Sequence, residues 1–99
     1  MKTLIKTSLI AMLGLASASL VHADIAQTYN KSCATCHDSG ALNAPKKGDS
    51  ATWQKLIQQK GQAALVKAAH DGKHQMPAMG LCQSCSDEDL ANLIDYMSK

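Results

Sequence analysis

Cys33-Ala34-Thr35-Cys36-His37 constrains this chain more than any other stretch. Two thiols three residues apart stand one helical turn from each other, on one face. An imidazole follows directly. Thiols so spaced can add to the two vinyl groups on one edge of a porphyrin. The next residue then presents its ring to the iron, and C-x-x-C-H is the pattern of covalent haem attachment. A C-x-x-C pair alone also serves zinc binding and thiol redox chemistry, so the rest of the sequence has to decide.

The N-terminus bears on that choice. Lys2 and Lys6 precede an apolar run from Ser8 to Leu20, and Val21-His22-Ala23 carries small or apolar residues where a signal peptidase reads. This predicts a secretory signal peptide over residues 1–23, cut before Asp24, with Ala16-Ser17-Ala18 as a second cleavage point. The run is short for a spanning helix, which needs about 20 apolar residues. Export places residues 24–99 in the periplasm, where c-type haem is attached and disulfides persist. It also predicts no stable membrane anchor.

Beyond the leader the chain is long enough for one small domain, and small domains usually need a staple. The chain has no Phe, one Trp and two Tyr. A covalently held porphyrin would supply the missing apolar mass. Beyond residue 23, eight lysines face eight carboxylates, so the basic balance of the chain belongs to its leader. Arg is absent and no aromatic-basic patch occurs, which argues against nucleic acid as a partner.

The remaining pattern predicts an all-α fold of short helices. Ile25, Tyr29 and Cys33 share one face of a first helix running from about Asp24 into the motif. Breakers at Ser39-Gly40, Asn43 and Pro45 predict a loop. Asp49 or Ser50 caps a second helix bearing Trp53, Leu56 and Ile57. Gly61 separates it from a third, which ends at Gly72. Residues 72–85 form an extended loop. Ser86-Asp87-Glu88-Asp89 has the form of a capping box, and Leu90, Leu93, Ile94 and Met97 then make the apolar stripe of a last helix. No alternating strand pattern appears.

A second axial ligand must come from far along the chain, and Met76-Pro77-Ala78-Met79-Gly80 is the natural source. A thioether is a soft, uncharged ligand that favours ferrous iron and raises the reduction potential. Pro77 stiffens the loop just after Met76, so Met76 is the expected ligand, with Met79 as the alternative. Met97 belongs to the core stripe. His70 and His74 are the competing ligands, although a histidine at a helix end more often faces solvent and the last carbonyls. Cys82-Gln83-Ser84-Cys85 is followed by Ser86, not histidine. In an exported chain a disulfide between Cys82 and Cys85 is the default. A thioredoxin-like pair and a four-cysteine zinc site are the other readings.

The ordered set of residues resembles a class I c-type cytochrome, and within it the bacterial cytochrome c-five subgroup. The set comprises Tyr29, Cys33-Ala34-Thr35-Cys36-His37, Asn43-Ala44-Pro45-Lys46, Gly48-Asp49, Trp53, Gly72-Lys73, Met76-Pro77, Gly80, Cys82-Gln83-Ser84-Cys85, Ser86-Asp87-Glu88-Asp89-Leu90 and Tyr96-Met97. The resemblance implies a monohaem fold in which the first and last helices cross near Tyr29 and Tyr96. It implies that Cys33 and Cys36 hold one haem c and that His37 and Met76 are the axial ligands. It implies further that Pro45 offers its carbonyl to the proximal imidazole and that Trp53 lies near a haem propionate. The subgroup often reads Met-Pro-Pro-Lys-Gly where this chain has Met76-Pro77-Ala78-Met79-Gly80, so a basic residue is lost from the loop.

The function implied is periplasmic electron transfer rather than catalysis. Single electrons pass between protein partners of a respiratory chain or another redox system, a donor and an acceptor such as a membrane oxidase or reductase. Lys46 and Lys47 are the candidates for steering an acidic partner. Rival readings are a haem enzyme or sensor with an exchangeable sixth ligand, and a dedicated haem subunit of a larger redox enzyme.

Overall fold

The computed structural model describes residues 20–99, with side chains from Asp24 onward. The predicted leader, residues 1–23, therefore lies outside the described residues except for the backbone of its last four. Five α-helices succeed one another: α1 (Leu20–Ser32), α2 (Ala34–His37), α3 (Ser50–Lys60), α4 (Gln62–Asp71) and α5 (Asp87–Met97). A 3-10 turn, Ala41–Asn43, lies between α2 and α3. Among the described residues there is no strand. A single bridge joins Lys73 to Met76.

The expected first helix is two helices. The α1 register runs to the Cys33 N–H, which donates to the Tyr29 carbonyl at 2.8 Å. The chain then bends at Cys33, where φ is −116°, and restarts as the single turn of α2. Cys33 and Cys36 fall at the two ends of that turn, and His37 closes it.

The other boundaries reflect local chemistry. Asp49 caps α3, its carboxylate accepting from the Thr52 N–H and, at 2.6 Å, from the Thr52 hydroxyl. Gly61 ends α3 and opens α4 at φ 86°, a backbone region open to glycine alone at little strain. Ser86 and Asp89 form a reciprocal capping box, with N···O distances of 3.0 and 2.9 Å. Asp87, Glu88 and Asp89 also place negative charge on the positive end of α5.

The stripe predicted for α5 is the core. Leu90, Leu93, Ile94 and Met97 are all buried, and Leu93 is only 1% exposed. Against them pack Tyr29 of α1, Trp53 of α3 and Ala69 of α4. The rings of Tyr29 and Tyr96 lie 5.4 Å apart where α1 meets α5. A chain with so few aromatics therefore gathers Tyr29 and its one tryptophan into the same core as the α5 stripe, with Tyr96 of α5 packed against it. The loop after α2 is drawn into this core as well, because the Gly48 N–H donates to the Met97 carbonyl at 2.8 Å.

Candidate haem site

The site begins at the turn of α2. Cys33 and Cys36 are free thiols, both half-buried. Burial pushes the Cys33 thiol up to about 11. His37 is 8% exposed, and its Nδ1 lies 2.7 Å from the Pro45 carbonyl oxygen. A carbonyl only accepts, so Nδ1 is the ring atom that carries the proton. The Nε2 lone pair is then free to bind a metal, which is the arrangement a ligating histidine needs.

A short strap holds this ring from below. Three consecutive residues contribute. The Pro45 carbonyl takes the ring N–H of His37. The Lys46 carbonyl takes the indole N–H of Trp53 at 2.8 Å. The Lys47 N–H donates to the backbone carbonyl of His37 at 2.7 Å. The His37 and Trp53 rings lie 5.9 Å apart, and Trp53 is buried. The ammonium of Lys47 stands 5.4 Å above the ring of Tyr29 and 5.0 Å above that of Tyr96. Its charge is engaged with two quadrupoles, so of the two lysines expected to steer a partner this one is also tied to the fold. Tyr29 in turn donates its hydroxyl to Asp38, and burial together with that carboxylate raises the phenol's pKa.

Met76 comes from the long loop after α4. Its N–H and carbonyl pair with Lys73 at 2.9 and 3.0 Å, which closes a narrow turn through His74 and Gln75. Gly80 sits against both the Met76 methyl and the chain entering the thiol turn. A Cβ there would lie 3.5 Å from Met76 Cε and 4.0 Å from the Ser32 carbonyl oxygen. Gly72 is tighter. A Cβ there would lie 2.9 Å from the Ala78 nitrogen and 3.2 Å from the Met76 oxygen. Met79 is half-buried against the core, and its N–H is held by the Ala69 carbonyl at 2.8 Å. The fold thus carries a half-buried thioether to the residues just ahead of Cys33.

The competing ligands stand elsewhere. His70 is exposed, with its Nδ1 2.9 Å from Asp71, whose hydrogen bond raises the His70 pKa. His74 is exposed as well. Cys82 and Cys85 are joined to each other with Cα atoms 5.5 Å apart, and both are buried between the Met loop and α5. The Asp38 bond to Tyr29, the close approach of Gly72 to the Met loop and the anchoring of Lys47 escaped sequence reasoning. Nothing local marks Asp38 as the partner of a tyrosine nine residues earlier. The Gly72 contact with Ala78 is a loop approach that residue spacing does not encode.

These donors fit a haem. Two free thiols on one turn, an imidazole with Nε2 free and a neutral thioether from a second segment are the set that covalent haem attachment with His/Met ligation requires.

A model of the family described as cytochrome C oxidase, cbb3-type, subunit III matches residues 21–97. The chain is 44% identical to cytochrome c5 of Azotobacter vinelandii over 69 residues, 69% of this chain and 83% of that protein. It is 42% identical to cytochrome c-555 of Chlorobaculum tepidum over 74 residues, 71% of this chain and 68% of that one. Among solved structures it is similar to a chain in the electron transfer complex of nitrite reductase with cytochrome c. That match has a TM-score of 0.65 at 34% identity and covers 74% of this chain and 88% of the other. The chain belongs to the class I c-type cytochromes and carries the one covalently attached haem c of that family. Within the class it is c5-like, a small electron-transfer cytochrome.

Proposed function

We propose that this chain is an exported one-electron carrier in which Cys33 and Cys36 hold the haem by thioethers, with His37 and Met76 as axial ligands. The observation that carries this reading is the proximal turn, where two free thiols lead into a buried imidazole whose Nδ1 is tied to Pro45. When bound, the haem supplies an iron that cycles between ferric and ferrous states, and no substrate bond is made or broken.

The chain's own residues set the conditions for that couple. The Pro45 carbonyl accepts a hydrogen bond from His37 Nδ1–H, which fixes the ring's orientation and raises the basicity of Nε2. Met76 offers an uncharged sulfur, which favours the ferrous state. Met79 is the alternative sulfur in the same loop. Trp53, itself buried, packs beside the buried His37 ring and keeps water from the imidazole. With His37 and Met76 both holding the iron, no open site would be left for a substrate, so the reading is of a carrier and not an enzyme.

Cys82 and Cys85 are the other pair with the spacing for thioethers. Two facts count against them: they are bonded to each other, and Ser86, the cap of α5, stands where a ligating histidine would be. We assign them a structural disulfide that ties the Met loop to the start of α5.

The predicted leader supports a periplasmic location. No helix of the described residues is long and apolar enough to cross a membrane. The partners are redox proteins, a donor and an acceptor. The solved neighbour's complex with nitrite reductase makes an oxidase or reductase the favoured class of acceptor. Such partners meet through small interfaces, below about 1,200 Å². The family description, which names an oxidase subunit, favours one second reading, a dedicated subunit of a larger redox enzyme.

The test is a visible spectrum of protein matured with export and haem attachment, recorded oxidised and reduced. A c-type reduced spectrum with a weak far-red sulfur-to-iron band in the oxidised state is expected. Haem without that band would reject Met ligation and point to His70, His74 or an open sixth site. Paired variants address attachment. Cys33→Ala with Cys36→Ala should abolish covalent haem, and Cys82→Ala with Cys85→Ala should keep it; the reverse pattern overturns the assignment.

A further inference from the structure

The resemblance implies Trp53 beside a haem propionate, but an indole has one N–H, and this one is donated to the Lys46 carbonyl at 2.8 Å. We infer that Trp53 is a positioning residue for the proximal histidine, acting through the 45–47 strap and not through a hydrogen bond to a haem propionate. The inference rests on the reading of His37 as an axial ligand.

The connection is one of peptide planes. The Lys46 carbonyl and the Lys47 N–H belong to the same peptide unit. That unit is held at its oxygen by the Trp53 indole, with the Asp49 N–H as a second donor at 3.1 Å, and at its nitrogen by the His37 carbonyl at 2.7 Å. The unit before it carries the Pro45 carbonyl that binds the His37 ring at 2.7 Å. Adjacent peptide planes turn relative to each other only about the φ and ψ of the residue between them, here Lys46. Fixing the second plane therefore limits where the first can point its oxygen. Trp53 is itself fixed, because it is buried and its ring stands 5.9 Å from that of His37. The imidazole is in this way aimed by a residue sixteen positions further along the chain.

A firm hydrogen bond from Nδ1–H makes Nε2 a stronger donor, and stronger donation favours ferric iron. Loosening the strap weakens that bond, so the reduction potential rises. The ring proton also becomes easier to exchange with water.

Because Trp53 is the only tryptophan, it can be replaced during growth by the isostere whose indole nitrogen is sulfur. That change deletes the N–H and keeps the shape. Trp53→Phe is the genetic counterpart. In haem-loaded protein the isostere should raise the reduction potential, and His37 Nδ1–H should exchange roughly tenfold faster by NMR, the scale of one hydrogen bond. A role in core filling alone predicts that Trp53→Phe destabilises while the isostere leaves potential and exchange unchanged. That result overturns the inference. His37 ring protons without haem-shifted resonances in the unaltered protein would instead overturn the ligand assignment, and this inference with it.

Discussion

Two glycines share nearly the same backbone but not the same surroundings, which turns them into a measurement of how the Met loop is placed. Gly61 has φ 86° and ψ 150°, and Gly72 has φ 89° and ψ 147°. A side chain is strained at either position, at about 1–3 kcal/mol. At Gly61 a Cβ would meet nothing within 4 Å. At Gly72 it would meet backbone atoms of the Met loop at 2.9, 3.2 and 3.3 Å. Carbon atoms pack favourably at about 3.5–4.0 Å, so the loop must retreat by roughly half an ångström. Backbone cannot swing aside as a side-chain tip can. Overpacking of this kind costs about 1–3 kcal/mol. Gly72→Ala should therefore be about 2 kcal/mol less stable than Gly61→Ala. For a domain of this size that is roughly 8–16 °C in melting temperature. Both variants should be melted by circular dichroism in the haem-loaded state, with the far-red sulfur-to-iron band recorded beside each melt. Gly61→Ala should keep the band, and Gly72→Ala should weaken it, because its clash pushes on Met76 and Ala78. Equal melting temperatures with equal bands would refute the argument that the close approach at Gly72 seats the methionine.

The packing and the caps carry further expected outcomes. Leu93→Ala removes the most buried leucine of the described residues and should cost about 2–5 kcal/mol, read from the urea midpoint; a loss under about 1 kcal/mol would place the core elsewhere. The hydrogen bonds from the Thr52 hydroxyl and N–H hold the Asp49 carboxyl below its ordinary value of 3.8. A depressed folded pKa means stability present above that value and lost as pH falls through the folded pKa. The melting-temperature advantage over Asp49→Asn should therefore shrink in acid, and a gap constant down to pH of about 2 would contradict the cap. Lys47→Gln should lower stability by about 0.5–1 kcal/mol through loss of the contact with both tyrosines, and stability within error of the parent would show that contact to be idle.

Local chemistry made much of this protein legible before its structure. Ser86 and Asp89 are three residues apart and satisfy each other's backbone groups, so the start of α5 could be read directly. Gly61 and Gly72 mark helix ends because the conformation they adopt strains every other residue. Leu90, Leu93, Ile94 and Met97 announced a buried face by spacing alone. The haem motif was legible for the same reason, since its thiols and imidazole lie within one turn. The break between α1 and α2 was not, because the apolar positions Ile25, Tyr29 and Cys33 keep helical spacing straight across it.

The sequence by itself therefore determined α3, α4 and α5, their caps, the apolar stripe and the candidate proximal donors. All of these rest on interactions within a few residues, where the backbone geometry is known in advance. Tertiary structure decided where Met76 comes to rest, that Trp53 gives its N–H to Lys46, and that Lys47 lies across Tyr29 and Tyr96. Each of those contacts joins segments whose separation along the chain says nothing about their distance in space. That distance is set by how α1, α4 and α5 bury their shared face, and only the folded chain fixes it.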